Sequence, residues 1–340
     1  MGGSTDYDDW EFTSSSSDDI RTLVLLGRTG NGKSATGNSI IRERKFKSMS
    51  SSSGVTSTCQ LEQTILRDGQ IINVIDTPGL FDYSGDNESI GKEIVKCINM
   101  AKDGIHAVLV VFSVRTRFSR EEESAVESLC RFFGSELTDY MIVVFTGGDD
   151  LEESDETLDD YLGRNCPEPL KNVLEMCGNR KVLFDNKTKD KTKKDSQLRE
   201  LLSLVNSVVD RNCGKPYTDE IFSALKKGAL QIRNQTAEFN SSRYSKQEIS
   251  ELNDQMKKAY AEQLRQITEM VEMKLKETTL RLEEQLAKEQ AARLEAEKSA
   301  REAQELSRYE ISKLRESLEK AQEETEKLRK EARERGCYIL

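Results

Sequence analysis

Short apolar runs alternate with amphipathic segments over the first two thirds of the chain. The runs are four to seven residues long and rich in Val, Ile and Leu, which predicts buried parallel strands at 22–26, 71–75, 107–113, 140–145 and 181–184. A further strand, 59–67, joins its successor through an Asp68-Gly69 turn. Amphipathic segments predict helices at 33–42, 90–101, 121–133 and 198–209. The alternation predicts a doubly wound, mostly parallel α/β sheet over residues 20–212, with its ligand at the carboxyl ends of the strands.

A different pattern occupies residues 246–335, which contain neither Pro nor Gly and consist largely of strong helix formers. Apolar residues follow heptad spacing in two patches, an earlier one at Ile249, Leu252, Met256, Leu264, Ile267 and Val271, and a later one at Ile311, Leu314, Leu318, Ala321, Thr325, Leu328 and Ala332. This spacing predicts a long helix that forms a coiled coil, with itself or with another protein. The alternative is a solvated single helix held by Glu–Lys pairs.

The remaining segments are short. Residues 1–19 are rich in Asp and Ser and predict a disordered tail. Residues 213–245 predict a helical extension between the sheet domain and the long helix. Residues 336–340 form a separate tail that ends in Cys337-Tyr338-Ile339-Leu340.

The turn after the first strand carries the strongest chemical signal. It reads G-x-x-x-x-G-K-S between a buried strand and a helix, which is typical of a phosphate-binding loop. Glycines let backbone N–H groups close around phosphate oxygens, and the helix dipole adds positive charge there. The predicted nucleotide-binding residues of this loop are Gly27, Arg28, Thr29, Gly30, Asn31, Gly32, Lys33, Ser34 and Ala35.

A second motif, Asp76-Thr77-Pro78-Gly79, follows the strand 71–75. Asp76 is predicted to hold Mg²⁺ together with the Ser34 hydroxyl, and the Gly79 N–H is predicted to meet the γ-phosphate. A polar Gly/Ser-rich loop at 47–56 is the expected first switch segment. It offers Thr56, with Thr58 as the alternative, as the hydroxyl for Mg²⁺ and the γ-phosphate.

Two further turns follow the strands 140–145 and 181–184. Asp149, in Thr146-Gly147-Gly148-Asp149, can accept hydrogen bonds from guanine N1–H and the exocyclic amine, which favours GTP over ATP. The usual guanine motif is N-K-x-D, so Thr146 and Gly147 depart from it. Asn186, in Phe184-Asp185-Asn186, is predicted either to bond the base or to buttress the pocket.

Together these motifs resemble the immune-associated nucleotide-binding GTPases, also called the avirulence-induced or GIMAP family, and look most like plant members. The segment 114–123, V-R-T-R-F-S-R-E-E-E, is similar to the family's signature box between the third and fourth motifs. The resemblance covers roughly residues 20–215 and implies a GTPase, related to septins and chloroplast import receptors, that dimerises through its G domain. It also suggests a role in defence or stress responses.

The expected catalytic residues are Lys33, Thr56, Gly79 and Arg117. Leu80 stands where Ras-like enzymes place a water-orienting Gln, so intrinsic hydrolysis is expected to be slow. Arg117 is a candidate arginine finger that acts across a G-domain dimer. Its alternative is a surface arginine paired with Glu121 to Glu123 at helical spacing.

Composition narrows the remaining classes. The net charge of −10 argues against general nucleic-acid binding, and seven scattered cysteines without a C-x-x-C pair indicate reduced thiols. The terminal Cys337-Tyr338-Ile339-Leu340 fits the C-a-a-X pattern, and its Leu favours geranylgeranylation of Cys337. With upstream basic residues, this lipid predicts a cytoplasmic protein on the cytosolic face of an internal or plasma membrane.

The sequence therefore predicts a membrane-tethered GTPase that uses GTP, GDP and Mg²⁺. A second hypothesis is a coiled-coil membrane scaffold that binds nucleotide for assembly with negligible turnover, which Leu80 favours. An ATPase is a weaker third.

Overall fold

The computed structural model describes residues 20–48, 56–80, 87–227 and 246–335. Four predicted features lie wholly or partly outside these ranges: the tail 1–19, most of the first switch loop, part of the extension 213–245, and the lipidation residue Cys337. For these features, the predictions stand as made.

Six strands form one sheet in the order β2-β3-β1-β4-β5-β6. Every neighbouring pair is parallel except β2 and β3, which form an antiparallel hairpin. The strands are β1 (Ile20–Leu26), β2 (Gln60–Ile65), β3 (Ile71–Asp76), β4 (Ala107–Ser113), β5 (Met141–Thr146) and β6 (Lys181–Phe184). After β1, the chain adds β2 and β3 on one side of β1. It then crosses over and adds β4, β5 and β6 on the other side. The switch point between β1 and β4 is where such sheets bind ligands.

Helices connect the strands, and the four that the amphipathic pattern predicts are all present, with shifts of a few residues at most ends. They are α1 (Lys33–Ile41), α2 (Asn87–Met100), α3 (Arg120–Phe133), α4 (Gly148–Glu153), α5 (Leu158–Asn165), α6 (Glu168–Met176), α7 (Lys191–Arg211), α8 (residues 220–227) and α9 (Lys246–Arg335). A 3₁₀ segment, Ser135–Tyr140, leads into β5. The predicted fold class, a P-loop GTPase sheet followed by a long helix, is confirmed.

Two hydrophobic clusters cover the two faces of the sheet. Strand alternation divides each strand between them: Val24 and Leu26 belong to the first cluster, and Leu23 and Leu25 to the second. Helices α2, α3 and α6 pack on the first face, and α1 and α7 pack on the second. Burial on both faces explains why these strands read as continuous apolar runs.

The sequence prediction lacked three helices and made a fourth too short. Helices α4, α5 and α6 lie between β5 and β6 and are only 6, 8 and 9 residues long, which is too short for a sustained apolar period. Helix α7 begins at Lys191 rather than near 198, because its first turn is wholly polar. The cap Asp190, whose side chain accepts from the Thr192 N–H, was the available signal for that start.

The chain divides into two compact units between Thr278 and Thr279. In the first unit, Ile267, Val271 and Leu275 of α9 are buried in the first core cluster, so part of the early heptad patch packs on its own domain. In the second unit, residues 283–334 of α9 are exposed throughout. Within the described ranges, no helix is long and apolar enough to cross a membrane.

Candidate nucleotide-binding site

A cleft of about 730 Å³ opens at the carboxyl ends of β1, β4 and β5. That volume lies within the range of roughly 300–1,000 Å³ typical of small-molecule sites. Its walls come mainly from the five loops that follow these strands and β3 and β6. Most of the predicted nucleotide-binding residues line it, namely Thr29, Gly30, Asn31, Gly32, Lys33, Ser34, Ala35, Thr56, Gly79, Asp149 and Asn186.

The glycines of the loop after β1 have backbone conformations that other residues adopt only with strain. Gly30 and Gly32 have φ values of 91° and 94°, in the left-handed region. At Gly27, an added Cβ would lie 2.4 Å from the carbonyl oxygen of Val111 on β4. The tight packing of the loop against β4 therefore requires glycine at the first position of the motif.

Lys33 arches back over the loop. Its Nζ donates to the carbonyl oxygens of Gly27 and Arg28, at 2.7 and 3.0 Å, and the residue is buried. Gly27 and Arg28 do not line the cleft themselves; they hold the lysine through their carbonyls. Lys33 therefore places its positive charge at the mouth of the phosphate loop.

A buried pair of side chains fixes the middle of the same loop. The Asn31 Nδ2 donates to Glu122 Oε1 at 2.8 Å and to the Val111 carbonyl at 3.0 Å. Glu122 is the third residue of α3, and its other oxygen accepts from the N–H of the cap Ser119. One carboxylate thus joins the phosphate loop to the start of α3.

Three oxygen-bearing side chains converge beside the loop. The Ser34 hydroxyl donates to Asp76 Oδ2 at 2.5 Å and lies 3.0 Å from the Thr56 hydroxyl. Thr56 Oγ1 is 3.5 Å from the same carboxylate oxygen. The three residues predicted to bind the metal ion therefore come together, although they are 42 positions apart at the extremes.

The chemistry of this cluster fits Mg²⁺. Hydroxyl and carboxylate oxygens are the ligands that hard divalent cations prefer. Within the described residues, Asp76 Oδ1 is buried without a hydrogen-bond partner. Burial raises the pKa of Asp76 and outweighs the hydrogen bonds from Ser34 and Thr56, which act to lower it. A divalent cation nearby would supply the positive charge that this buried carboxylate needs.

The structure distinguishes the two candidate threonines. Thr58 Oγ1 donates to Glu93 of α2 at 2.8 Å and contacts Lys96 of the same helix. Glu93 also accepts from the Cys59 N–H. Thr58 therefore ties the segment before β2 to α2, and Thr56 is the one that faces Ser34 and Asp76.

At the opposite end of the cleft, two basic side chains hold Asp149. Arg115 Nη2 lies 2.5 Å from both carboxylate oxygens, and Lys187 Nζ lies 2.8 Å from Oδ2. Partial burial acts to raise the pKa of Asp149, but the hydrogen bond from Lys187 and the charge of Arg115 outweigh it, so the pKa lies below its ordinary value. Asp149 is thus an ionised acceptor on the cleft wall.

The departure from N-K-x-D has a steric and a hydrogen-bonding reason. Gly147 has a φ of 91°, and an added Cβ would lie 2.9 Å from Val114 Cγ2. A lysine does not fit there without displacing the signature loop. The Thr146 hydroxyl donates to the Asn31 carbonyl at 2.7 Å, so this position supports the phosphate loop.

Asn186 bonds α1 on both sides of its amide. Its Oδ1 accepts from the Ser39 hydroxyl at 2.7 Å, and its Nδ2 donates to Thr36 Oγ1 at 3.0 Å. Of the two roles predicted for Asn186, this geometry matches the buttress: the side chain anchors the loop after β6 to the helix that follows the phosphate loop.

Gly79 lines the cleft, whereas the next residue, Leu80, is buried in the first core cluster. Leu80 has no polar side-chain atom to orient water, and its side chain packs away from the cleft.

Arg117 is exposed, does not line its own cleft, and has no hydrogen bond or ion pair with any residue that the structure describes. Glu121, one of the glutamates predicted as an alternative partner for Arg117, instead has its Oε2 3.9 Å from Arg28 Nη1.

Sequence reasoning missed three residues that shape the site: Glu122, Arg115 and Lys187. The spacing Ser119-x-x-Glu122 is a capping-box signal that identifies the start of α3, but it does not show that Glu122 also reaches Asn31. Nothing in the local sequence pairs Arg115 or Lys187 with Asp149, because these contacts join different loops.

The fold and the cleft together define a protein with a P-loop GTPase fold. The chain belongs to the AIG1 family, whose model matches residues 21–236. Immune-associated nucleotide-binding protein 9 of Arabidopsis thaliana is 57% identical over 331 residues, which are 97% of this chain and 96% of that one. Immune-associated nucleotide-binding protein 7 of the same plant is 49% identical over 273 residues, or 80% of this chain and 88% of that one.

Solved structures of Toc33 from Arabidopsis thaliana are more distant. The complex with GDP and Mg²⁺ is 21% identical, with a TM-score of 0.41, and covers 56% of this chain and 84% of that chain. The complex with Mg²⁺ and GMPPNP is 23% identical, with a TM-score of 0.39 and the same coverage. At this distance, the likeness assigns no role to any residue here.

Proposed function

We propose that this protein is a guanine-nucleotide switch that binds GTP with Mg²⁺ and hydrolyses it slowly. The observation that carries the proposal is the cleft itself, with Ser34, Thr56 and Asp76 gathered at one end and the ionised Asp149 at the other. The first cluster suits a metal ion beside the phosphate loop. The second suits a base that presents two adjacent donors, as guanine does and adenine does not.

The residues divide the work of binding. Lys33 and the loop N–H groups hold the phosphates, and the Gly79 N–H is placed to sense the γ-phosphate. Bound Mg²⁺ would neutralise charge that develops on the phosphate oxygens. Asn31, Thr146 and Asn186 keep the loop in shape: Asn31 ties it to the β4 backbone, Thr146 bonds the loop backbone, and Asn186 bonds α1.

Slow turnover follows from Leu80. Its side chain is in the core, so no group at that position orients an attacking water. The rate then depends on a group supplied from elsewhere.

We propose that Arg117 of a second G domain supplies it. The exposed side chain of Arg117 lies on the loop between β4 and α3, outside its own cleft, as a residue acting on a partner's γ-phosphate must. An arginine finger is worth on the order of 10³-fold in rate. GTP would then favour the G-domain dimer, and hydrolysis to GDP would lead the dimer to dissociate.

The proposal extends to a membrane. Cys337 fits a geranylgeranylation site, and Lys327, Arg329, Lys330, Arg333 and Arg335 supply positive charge upstream. Lipid and charge together would hold the protein on the cytosolic face of an anionic membrane. The Arabidopsis relatives are named as immune-associated, which supports a role in defence or stress responses.

The test measures GTP turnover per molecule in the full-length chain with Mg²⁺ as protein concentration rises, with ATP as the competing substrate. The full chain is needed because Ile267, Val271 and Leu275 of α9 complete the core. Specific activity should rise with concentration. Arg117→Ala should abolish that rise, so that its turnover at the highest protein concentrations is lower than the wild type's by on the order of 10³-fold. Arg120→Ala is the matched control, because Arg120 is also exposed and opens the adjacent helix.

A rate that rises equally in both variants would exclude the finger. A flat and negligible wild-type rate, with tight GTP binding, would support the second candidate function. In that case, the protein is a coiled-coil membrane scaffold whose bound nucleotide serves assembly, and the buried Leu80 is the observation that favours it. Equal turnover of ATP would overturn the guanine assignment.

A further inference from the structure

The second unit of the chain exposes a stripe of large apolar side chains along one face of α9. Ile311, Leu314, Leu318 and Leu328 are 48%, 70%, 60% and 65% exposed. They recur at alternating intervals of three and four residues, and Ala321, Thr325 and Ala332 continue the series. With Ile311 as position a of a heptad abcdefg, the stripe occupies the a and d positions of residues 311–332. We call this stripe the late seam.

We propose that the late seam is a homodimerisation surface and that two copies of α9 pair along it, parallel and in register. The proposal stands independently of nucleotide binding. Charge complementarity across the late seam identifies the partner as a second copy of this chain.

The flanking g positions carry Glu310, Ser317 and Glu324, and the flanking e positions carry Arg315, Gln322 and Arg329. In a parallel, in-register pair, each g position faces the following e position of the partner. Glu310 then faces Arg315 of the partner subunit, and Glu324 faces Arg329 of the partner subunit. By symmetry, one dimer contains four such attractive pairs, and Ser317 and Gln322 face each other without charge.

An antiparallel pair places g against g and e against e. Glutamates would then oppose glutamates, and arginines would oppose arginines, since every charged g position of the late seam is acidic and every charged e position is basic. The charge pattern therefore favours the parallel arrangement and disfavours the other.

The residues inside the late seam favour two strands. Ile311 and Thr325 place β-branched side chains at a, and Leu314 and Leu328 place leucines at d, which is the combination typical of parallel dimers. Burial of Thr325 leaves no hydroxyl unsatisfied, because its Oγ1 already donates to the Ala321 carbonyl at 2.7 Å. The late seam is only about three heptads long, so we expect the dimer to be weak and to form in the micromolar range.

The first arm of the test uses the full-length chain with Leu314→Cys and mild oxidation. In a parallel pair, the two copies of a d position are adjacent, so a disulfide should form between identical peptides, identified by mass spectrometry. Glu316→Cys is the matched control. It lies two residues away at an f position, which faces outward, and should give no covalent dimer above the background of the native cysteines.

The second arm reverses charges in the Leu314→Cys background. Arg315→Glu with Arg329→Glu makes all four pairs repulsive, and so does Glu310→Lys with Glu324→Lys. Each double variant alone should weaken dimerisation at least about tenfold, since four exposed pairs of a few tenths of a kcal/mol are lost. An equimolar mixture should restore cross-linking, because each chain then meets its charge complement.

Rescue by mixing separates a lost interface from a misfolded chain. Three results would each overturn the proposal. They are equal cross-linking at 314 and 316, cross-linking of 314 to an added cysteine at 325 in the partner rather than to itself, as an antiparallel pair would give, and failure of the mixture to recover. A full-length chain that forms no cross-link at tens of micromolar would overturn it as well.

Discussion

The two neighbouring carboxylates Asp149 and Asp150 offer a matched test of base recognition. Both accept from Arg115, but Asp149 lines the cleft and Asp150 does not. Asp149→Asn replaces one acceptor oxygen with a donor that opposes the guanine N–H groups. We expect GDP affinity to fall by about 10–100-fold, the cost of a lost charge-assisted hydrogen bond and a mismatched donor.

The same change should improve the relative affinity for xanthosine diphosphate, whose C2 carbonyl accepts from an amide. Asp150→Asn should leave both affinities within about threefold of the wild type, since an exposed ion pair contributes little. Competition binding with a fluorescent GDP measures the four values. Equal losses in the two variants would mean that Asp149 acts only as a partner of Arg115.

At the residue scale, the sequence identified the chemistry better than its arrangement. Ser34, Thr56 and Asp76 were predictable because each occupies a fixed place after a strand or in the intervening loop. Thr56 and Thr58 remained alternatives, because only the contact of Thr58 with Glu93 on α2 shows which one faces away. Contacts between loops, such as that of Arg115 with Asp149, depend on the folded backbone and leave no periodic trace.

At the scale of elements, His106 joins the beginnings of β1 and β4. The Thr22 N–H donates to His106 Nδ1 at 3.1 Å, so the ring must be neutral at that nitrogen. Burial, assisted by the charge of Arg21, lowers the pKa of His106 to about 4. Between pH 6.5 and 4, the unfolded chain therefore binds a proton that the folded chain excludes. The free energy of unfolding should fall by up to about 3 kcal/mol as the pH drops through this window.

Comparison of the wild type with His106→Asn isolates this effect from the carboxylates, because Asn also offers an acceptor to Thr22 but does not titrate. The difference in urea stability between them should shrink, or reverse, from pH 7 to pH 4.5. Because this histidine is the single one in the chain, its imidazole resonance also reports the pKa directly. An imidazole that titrates near 6.5 in the folded protein would contradict the prediction.

Elements were predictable where one periodicity dominated. The strands are buried on both faces, so their apolar runs gave nearly correct bounds, as at 107–113. Helices with polar first turns or few apolar positions, such as α4 and the start of α7, have no such signal. In α9, the heptad spacing was visible, but it did not reveal that Ile267 and Val271 complete the core of their own domain.

At the scale of the whole molecule, one chain would combine two kinds of association. A G-domain dimer would form with GTP, and a parallel pairing of the late seam would form without it. Two weak contacts between the same two chains reinforce each other, because the first raises the effective concentration for the second. Nucleotide state would then control a dimer that neither contact holds firmly alone.

The parallel orientation also sets how a lipid at Cys337 would act. The late seam ends near residue 332, so paired helices bring both Cys337 residues to the same end. One lipid chain gives only marginal membrane binding, whereas two give stable anchoring.

Geranylgeranylated protein should therefore sediment with anionic vesicles more strongly as its concentration passes the dimerisation range. Cys337→Ser should remain in the supernatant at every concentration. The prenylated Arg315→Glu, Arg329→Glu variant should bind weakly, without the steep rise, until it is mixed with prenylated Glu310→Lys, Glu324→Lys. If Cys337→Ser leaves vesicle binding unchanged, the lipid at Cys337 is not the anchor. If the charge reversals leave the binding of prenylated protein unchanged, anchoring does not depend on pairing of the late seam.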